Sequence, residues 1–562
     1  MICFTSHSYG GGSVFIASIT VHNFRSIAHQ TIKFQKYTTL IGPNNSGKSN
    51  IIAALLFFYD EIKLKESDFF ECKECKEKEL YVDVEFKEIP DEIYKSLPDQ
   101  YKLPGDRMKV RRLAKIGGKA VYKGFTIKNG EEVLHDSDFF GTKRVGKGKL
   151  GDVIYIPALK NVVEELKTTG SSTMSKLLKE IVGPNIRESK EYEDFSNAVR
   201  NLSEKIKGEP VDNIKEWDFK SMAGVECYLR KELEPWNCKV QIGMEPLDPA
   251  KLAQQTVTVF IEEQGHLPFP VESKGQGLQR SLEVALVKLW SEVERKKARD
   301  KVAGAKKKVF HPEYTLLLIE EPETFQHPQQ QYKFYEDLRE ISEGEHHQVI
   351  ATTHSPYFLT PHTEDLSSIV KVVKQDNKTR TVTLSDDFLK KLPSDIEKKG
   401  FYFTLWLNPD RNVLFFSDLV ILVEGQTEKV LFNWLINDYA ALSPSQRGKC
   451  FVADCGGKFN IDKFMMLLGQ FEIPHLVVHD KDNENKETHR KVNMRIQECR
   501  NEYTKEIIVI APDLERRLGI SLPSRASEKP AVMRDWIASE QYIDNLEIDM
   551  LCKVIKRHIS EI

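Results

Sequence analysis

The chain of 562 residues has no run of about 18 apolar residues, the length that a membrane-spanning helix needs, so we expect no membrane span. Its polar, glycine-rich start, Met1 to Gly12, is not followed by the apolar core of a signal peptide. The nine cysteines are odd in number and show no framework spacing, which is typical of a reducing compartment. These absences predict a soluble cytoplasmic protein.

The chain has no large excess of either charge, because 81 Lys and Arg residues nearly balance 84 Asp and Glu residues and the net charge is −3. Nucleic acid binding would then depend on local basic runs such as Arg295 to Lys308, which holds eight basic residues and one acid. No Ser/His/Asp or Cys/His arrangement suggests covalent catalysis. The length exceeds what one core usually organises, so we expect two or three domains.

A complete phosphate-binding loop, G-x-x-x-x-G-K-S, is present between an apolar strand (Tyr37 to Ile41) and an apolar helix (Asn50 to Phe58). In such a loop, backbone N–H groups and the helix N-terminus surround the nucleotide phosphates. The lysine reaches the β- and γ-phosphates, and the serine hydroxyl helps to hold Mg²⁺. The motif predicts ATP or GTP binding through Gly42, Asn44, Asn45, Gly47, Lys48 and Ser49.

A second apolar strand, Thr315 to Ile319, ends in Glu320 and Glu321. The first acid can hold Mg²⁺ and the second can orient the attacking water, because phosphoryl transfer depends mainly on positioning and charge stabilisation. A later strand ends at His354, which we assign to the same site. Another helix start suited to phosphate is flanked by small residues, namely Ser273, Gly275 and Gly277.

The last third alternates strands and helices, which predicts a parallel sheet with its chemistry at the carboxyl ends of the strands. One strand ends in Glu424, and another ends in Asp480 and Asp482. Carboxylates gathered in this way repel one another unless Mg²⁺ or Mn²⁺ is bound, and two such ions can cleave a phosphodiester. A calcium loop starting at Asp480 is excluded, because its sixth residue is not glycine and its twelfth is Lys491.

The N-terminal motifs, together with Asn23-Phe24-Arg25-Ser26, resemble the ABC-type ATPases of the SMC/RecF group. The resemblance implies a homodimer or larger homo-oligomer in which the Ser273–Arg280 segment of one copy caps ATP on the other. One departure is that Glu320 stands where the family usually has aspartate. No long heptad coiled coil is present, so the chain is not an SMC protein proper.

The C-terminal motif, Glu424-Gly425-x-Thr427-Glu428 with Asp480-x-Asp482, resembles a TOPRIM domain. An ABC-type ATPase fused in this order to a TOPRIM domain is similar to the OLD (overcoming lysogenization defect) family nucleases, including Gabija-type and retron-linked defence nucleases. The resemblance implies one metal at Glu424, Glu428 and Asp480, with Asp482 in support. It also implies a second metal at Asp513 and Glu515 and a phosphate-contacting lysine, for which we select Lys529.

We therefore expect an α/β protein in which an ABC-type ATPase head (1–158 and 236–405) precedes a TOPRIM domain (406–562). The head carries a helical insertion (159–235), which is a candidate dimerisation element. The expected function is an ATP-regulated, metal-dependent DNA endonuclease or nickase in anti-phage defence, acting on double-stranded DNA. A helicase or a retron reverse transcriptase is a candidate partner. Two alternatives stay open: a RecF-like repair ATPase or scaffold whose TOPRIM domain does not cut, and a nucleotide sensor that holds a separate effector.

Overall fold

The computed structural model describes residues 14–70, 79–141, 150–158, 190–207, 314–344, 346–359, 365–385, 401, 409–482, 486–521 and 523–561, with short stretches between 222 and 293. It divides into two compact units, Met1–Ala158 with Lys307–Ile562, and Leu159–Lys306. Most of the expected insertion and the basic segment at 295–308 lie outside the described residues. The domain boundaries drawn from the sequence therefore stay predictions.

An antiparallel sheet of six strands forms the start of the first unit, in the order β2-β1-β4-β5-β6-β7. Burial alternates along the strand Met108–Lys115, so one face of this strand is packed and the other is more exposed. The strands of the N-terminal part are β1 (Phe15–Phe24), β2 (Ile27–Lys33), β3 (Tyr37–Ile41), β4 (Glu79–Lys87), β5 (Met108–Lys115), β6 (Val121–Lys128), β7 (Glu131–Asp138) and β8 (Asp152–Ile156).

A second six-stranded sheet, in the order β14-β13-β3-β12-β11-β8, carries the phosphate loop. All neighbours pair in parallel except β13 and β14, which form an antiparallel hairpin. Its remaining strands are β11 (Thr315–Glu320), β12 (His347–Thr352), β13 (Ile369–Gln375) and β14 (Lys378–Thr383), while β9 (Phe260–Ile261) and β10 (Phe269–Pro270) pair in the second unit. The central strands are buried along nearly their whole length, as parallel strands covered on both faces are.

The helices vary in how much of their surface is buried. Helix α1 is apolar on every side and almost wholly buried, because it packs in the core that the two N-terminal sheets share. The helices are α1 (Lys48–Phe58), α2 (Asp91–Ser96), α3 (Lys190–Lys207), α4 (Pro328–Glu343), α5 (Gln426–Trp434), α6 (Pro444–Gly448), α7 (Ile461–Gln470), α8 (Glu487–Glu498), α9 (Leu514–Arg517), α10 (Lys529–Ala538) and α11 (Leu546–Ser560). Within the described ranges, none has both the length and the apolar character needed to cross a bilayer.

The C-terminal sheet has four parallel strands in the order β16-β15-β17-β18, which confirms the predicted parallel sheet. Its strands are β15 (Leu419–Val423), β16 (Cys450–Asp454), β17 (His475–Asp480) and β18 (Thr504–Ile510). Successive side chains of β15 enter different cores: Leu419 and Ile421 pack on one face, and Val420 and Leu422 on the other. Both faces of β15 are therefore covered.

One of these cores is shared with the phosphate-loop sheet. Ile41 at the end of β3 and Ile369 at the start of β13 belong to the same cluster of buried residues as Leu422 and Phe464. Asn412 adds a polar tie by donating to the backbone carbonyl of Leu359 at 3.3 Å. The nucleotide-binding sheet and the C-terminal sheet are thus packed together within the first unit.

Lys371 of β13 is buried at this junction, and its Nζ donates to the carbonyl oxygen of Phe471 at 3.1 Å. Burial lowers the pKa of Lys371 from 10.5 to about 8; Glu472 and Asp418 oppose the shift, and Arg380 adds to it. Because the unfolded lysine stays protonated up to about 10.5, unfolding takes up a proton between these two values, and stability rises with pH there. Below pH 8, burying the charge costs up to about 3 kcal/mol.

Replacing Lys371 by methionine removes the titrating group and keeps a similar buried volume. We expect the free energy of unfolding of the parent, minus that of Lys371→Met, to grow by about 3 kcal/mol as pH rises from 8 to 10.5. Lys374→Met, on the exposed end of the same strand, should track the parent at every pH. Denaturant titrations across this range measure the effect, and parallel curves for parent and Lys371→Met would contradict it.

Candidate functional site

The phosphate loop packs closely against the β13–β14 hairpin. Gly42 has a φ of +145° and Gly47 a φ of +111°, values that side chains disfavour. A Cβ atom on Gly42 would lie 2.1 Å from the carbonyl oxygen of Val372, and one on Gly47 would lie 2.1 Å from Oγ1 of Thr379. The fold of the loop therefore requires both motif glycines before any ligand is considered.

Lys48 begins helix α1 and its side chain turns back onto the loop. Its Nζ donates to the carbonyl oxygens of Gly42 at 2.8 Å and Pro43 at 3.0 Å. Burial lowers the pKa of Lys48, and the charges of three nearby glutamates at the end of β11 partly offset this. The remaining predicted loop contacts are exposed to ligand, namely Asn44, Asn45 and Ser49.

Glu320, which ends β11, and Glu321, which follows it, lie near Lys48. Oε2 of Glu320 accepts a hydrogen bond from the hydroxyl of Tyr155 at 3.1 Å. Glu321 has a φ of 44°, and its backbone N–H donates to the carbonyl of Thr352 at 2.9 Å. A left-handed glutamate is uncommon and indicates that the neighbouring strands constrain this turn.

Glu323 is a part of this site that the sequence reasoning missed. It accepts hydrogen bonds from Oγ1 of Thr353 at 2.8 Å and from the backbone N–H of His354 at 2.6 Å, and burial raises its pKa. Nε2 of His354 lies 3.8 Å from Oε1 of Glu321, and burial together with Lys48 lowers the pKa of this histidine. Glu323 thus fixes the backbone that places a neutral imidazole beside Glu321; its signal was the run Glu-Glu-Pro-Glu.

The second phosphate-binding candidate lies in the second unit and contains Ser273, Gly275 and Gly277. Helical conformation begins at residue 276, as the sequence predicted. The buried Gln279 holds this turn by donating from Nε2 to the carbonyl of Lys274 at 2.8 Å. The segment has the form of a helix start, and its contact with nucleotide stays a prediction.

In the C-terminal sheet, Glu424 follows β15 and Asp480 ends the neighbouring strand β17. Oε1 of Glu424 accepts a hydrogen bond from the backbone N–H of Asp480 at 2.7 Å. Oδ1 of Asp480 accepts one from the N–H of Leu514 at 3.0 Å. The structure therefore brings these two predicted ligands together at the carboxyl edge of the sheet.

Two further predicted ligands, Glu428 and Glu515, lie next to this pair. Oε2 of Glu428 accepts from the N–H of Gly425 at 3.0 Å, while Oε1 of Glu515 pairs with Nζ of Lys529 at 2.8 Å. Glu515 is only 3% exposed, and its Oε2 has no hydrogen-bond partner among the described residues. A buried carboxylate oxygen in this state is costly unless a cation or another donor binds there.

The carboxyl groups raise one another's pKa values. Burial, followed by the charges of Glu424, Glu428, Glu515 and Asp482, raises the pKa of Asp480 to about 8. Burial likewise raises the pKa of Glu424 to about 7 and that of Glu428 above its usual value. Burial and the neighbouring acids therefore favour the uncharged form of Asp480 at neutral pH unless positive charge is brought to it.

Part of that positive charge comes from Lys458, which the sequence analysis missed. Its buried Nζ donates to Oδ2 of Asp482 at 2.8 Å and to the carbonyl of Asp480, and lies 3.8 Å from Oε1 of Glu424. Lys458 follows Gly456-Gly457 directly after β16, a glycine-lysine pattern at a strand end that could have suggested it. The lysine ties the ends of β15 and β17 together.

Asp482 and Asp513 differ from the central carboxylates. Asp482, in left-handed conformation with a φ of 57°, also receives a contact from Nδ1 of His489 at 3.1 Å. Burial alone would raise the pKa of Asp482, but Lys458 and His489 hold it below its usual value. Asp513 caps helix α9 by accepting from the N–H of Arg516 at 2.9 Å, so its carboxylate is already engaged. Its predicted metal role stays untested.

The residues present fit a divalent metal ion, although no three His, Cys, Asp or Glu side chains among the described residues form a complete metal-binding group. The unpartnered Oε2 of Glu515 and the raised pKa values of Asp480 and Glu424 both indicate a deficit of positive charge. Oxygen-only donors of this kind suit Mg²⁺ or Mn²⁺. Glu424, Glu428, Asp480 and Glu515 would hold such an ion.

In comparisons with known proteins, one family model matches the N-terminal part of the chain and another matches the C-terminal part. A model of the AAA ATPase domain family matches residues 15–143 and 87–359. A model described as the overcoming lysogenization defect protein-like TOPRIM domain matches residues 415–482, which hold Glu424, Glu428, Asp480 and Asp482. Both halves of the predicted fold class, an α/β ATPase head followed by a TOPRIM domain, are thereby confirmed.

Three curated relatives match the chain at low identity. An OLD nuclease of Thermus scotoductus is 26% identical over 67% of this chain and 68% of its own length. The Old nuclease of Escherichia phage P2 is 26% identical over 84% of this chain and 78% of its own. An endonuclease GajA of Bacillus cereus is 29% identical over 35% of this chain and 30% of its own. This chain therefore belongs to the AAA ATPase domain family, and it carries an OLD-like TOPRIM domain and is similar to the OLD nucleases.

Proposed function

We propose that this protein is a DNA endonuclease or nickase that requires a divalent metal ion and is regulated by ATP. The observation that carries the metal requirement is the buried, unpartnered Oε2 of Glu515 beside Asp480, whose pKa is raised to about 8. The relatives named as nucleases support phosphodiester cleavage. A TOPRIM domain that binds DNA without cutting it would not need this group of carboxylates.

Each residue of the TOPRIM cluster has a separate part in this proposal. Glu424, Glu428, Asp480 and Glu515 hold metal, and two ions, as the sequence predicted, would stabilise the attacking and leaving oxygens. Lys529 is held by Glu515, and its pKa is raised overall by the surrounding acids although burial opposes this. It stays protonated at neutral pH and can contact a DNA phosphate. Lys458 and His489 keep Asp482 ionised and in place.

The ATPase head supplies the nucleotide site. Lys48 and the loop N–H groups bind phosphate, Ser49 and Glu320 hold Mg²⁺, and Glu321 orients water with His354 beside it. The hydrolysis roles of these side chains rest on their position around the loop. Glu323 positions His354 and does not itself reach the nucleotide in this proposal.

The β13–β14 hairpin offers a physical route between the two centres. Oγ1 of Thr379 donates to the carbonyl of Ser46 in the phosphate loop at 2.9 Å. The next residue, Arg380, points to the opposite face, because side chains alternate along a strand, and makes a two-pronged ion pair with Glu472 of the TOPRIM domain. A change in the phosphate loop on nucleotide binding would therefore shift β14, which is bonded to the TOPRIM domain through Arg380 and Glu472.

Other parts of the proposal come from the resemblance. We propose that the substrate is double-stranded DNA, that the protein acts as a homodimer or larger homo-oligomer in the cytoplasm, and that its task is defence against phage. A helicase or reverse transcriptase partner would be identified by co-purification from cells that express the native operon.

The metal assignment is tested by substituting two of the proposed ligands, with the nearby Asp513 as the control. Glu515→Gln and Glu424→Ala should lower plasmid cleavage in Mg²⁺ or Mn²⁺ by about 100-fold or more, because each removes a charged metal ligand. Asp513→Asn should lose far less, since asparagine caps a helix as well as aspartate does. Mn²⁺ binding followed by electron paramagnetic resonance should weaken in the first two variants only. Cleavage at parental rates by both ligand variants would refute the metal site.

The nucleotide site is tested by Lys48→Ala. Loss of the ammonium removes the charge that meets the phosphates, so binding of a fluorescent ATP analogue should fall by at least about tenfold. Mn²⁺ binding to the TOPRIM cluster should be unchanged in this variant. Unaltered ATP affinity would contradict the assignment of the loop.

The coupling route is tested by Arg380→Gln. We expect ATP to change the cleavage rate of the parent, and this response to shrink severalfold in the variant while ATP affinity is retained. Arg339→Gln, which breaks an arginine–glutamate pair within helix α4, is the matched control and should keep the response. Identical parental cleavage with and without ATP would refute nucleotide control, and a full response in Arg380→Gln would refute this route.

A further inference from the structure

A groove of about 520 Å³ runs beside the metal-binding carboxylates, between helix α8 and the edge strand β18. We call it the α8 groove. Its walls come from the end of β17, from one face of α8 and from β18, and its lining residues include His479, Lys481, Arg490, Asn493, Met494 and Val509. Nothing in the roles described above uses this groove.

The charges of the α8 groove are arranged along its length. Lys481 lies between the two aspartates of the Asp480-x-Asp482 motif, and Arg490 directly follows His489, which contacts Asp482. Glu498, the acid of the groove, lies eight residues further along α8, which is about 12 Å away. The positive end of the groove is therefore the end next to the carboxylates.

Two polar atoms of the lining residues accept no hydrogen bond within the described part of the chain, Nε2 of His479 and Oδ1 of Asn493. His479 is 1% exposed, and its Nδ1 lies 2.9 Å from the carbonyl oxygen of Asp480, which can only accept. The proton of this neutral ring is thus on Nδ1, and Nε2 is an acceptor. Asn493 donates from Nδ2 to the carbonyl of Lys481 at 3.0 Å, which leaves Oδ1 as a second acceptor.

The groove also offers apolar surface. Met494 is 55% exposed and Val509 is 43% exposed, values that are high for side chains of this kind. Nε2 of His479 and Oδ1 of Asn493 are both shielded from solvent, so a ligand reaches them by displacing a neighbour. Met494, with three rotatable bonds, is the side chain of the groove that moves most easily.

These features together describe the chemistry of the ligand. Its anionic group would lie at Arg490 beside the carboxylates, its flat apolar body would lie on Met494 and Val509, and its N–H donors would meet the two acceptors. An unpaired nucleotide has all three parts, since its phosphate is anionic, its base is flat, and adenine, cytosine and guanine carry amino groups. A phosphate alone has no donor for the acceptors, and thymine places a carbonyl where cytosine has its amino group.

We propose that the α8 groove binds one unpaired nucleotide of the DNA strand next to the phosphodiester that is cut, and prefers bases with an amino group. This proposal rests on the proposed nuclease function. It adds that the protein prefers DNA in which a nucleotide next to the cut is unpaired. Binding and cleavage are measured separately below, so that failure of one is told apart from failure of the other.

The phosphate end is tested with two neighbouring charge reversals on α8. In EDTA, binding of a fluorescent twelve-residue oligo-dC is followed by anisotropy at several salt concentrations. Arg490→Glu should weaken binding by about tenfold and lower the salt slope by about 0.7 or more, because one phosphate contact is lost. Lys491→Glu carries the same charge change outside the groove, where Lys491 pairs with Glu487 at 2.7 Å, and should have a much smaller effect. Equal losses in both variants would overturn the proposal.

The base preference is tested on the parent protein, which avoids any variant that fails to fold. Oligo-dC and oligo-dT of equal length differ mainly in the group that faces the acceptors, so oligo-dC should bind at least about threefold more tightly. His479→Phe should remove that difference while ATP-analogue binding reports an intact fold. Equal or tighter binding of oligo-dT to the parent would overturn the amino-group preference. Cleavage of plasmid by a protein that shows neither effect would refute the groove alone and leave the nuclease function standing.

Discussion

Mutual repulsion among buried carboxylates is the constraint on which the TOPRIM domain depends. Glu424, Glu428, Asp480 and Glu515 converge where the parallel strands end, and Lys458 and Lys529 neutralise only part of their charge. An arrangement of this kind is costly in a protein without ligand. In the function proposed above, the same deficit of positive charge would bind a divalent ion at the place where a DNA phosphate is held.

The surrounding fold limits how far these acids can move apart. Glu424 is tied to the backbone of Asp480, and Asp480 to the first turn of α9, so neither carboxylate can turn into solvent without breaking a hydrogen bond. Glu428 is similarly fixed by the backbone of Gly425. Rigid elements therefore hold these carboxylates in place, which would lower the entropy cost of binding a metal ion there.

The β13–β14 hairpin connects the ATPase part and the TOPRIM domain of the first unit. The β13–β14 hairpin closes against both motif glycines of the phosphate loop on one side and holds the TOPRIM domain through Lys371 and Arg380 on the other. The shared core around Ile41 and Leu422 makes the contact apolar as well as ionic. Two sites that are far apart in the sequence thus rest on one structural element.

Local sequence determined much of this protein. The phosphate loop, the acids after β11, the alternation of strands and helices after residue 418 and the positions of Glu424 and Asp480 at strand ends all follow from patterns within a few residues, because period and turn chemistry are local. The resemblance to the OLD family was also recognised from these local patterns. What only the tertiary structure decided is which distant side chains meet. Packing between segments up to hundreds of residues apart determines the position of Lys458 between Asp482 and Glu424, the contact of Glu323 with His354, the hairpin against the phosphate loop and the α8 groove. No local pattern encodes contacts across such distances.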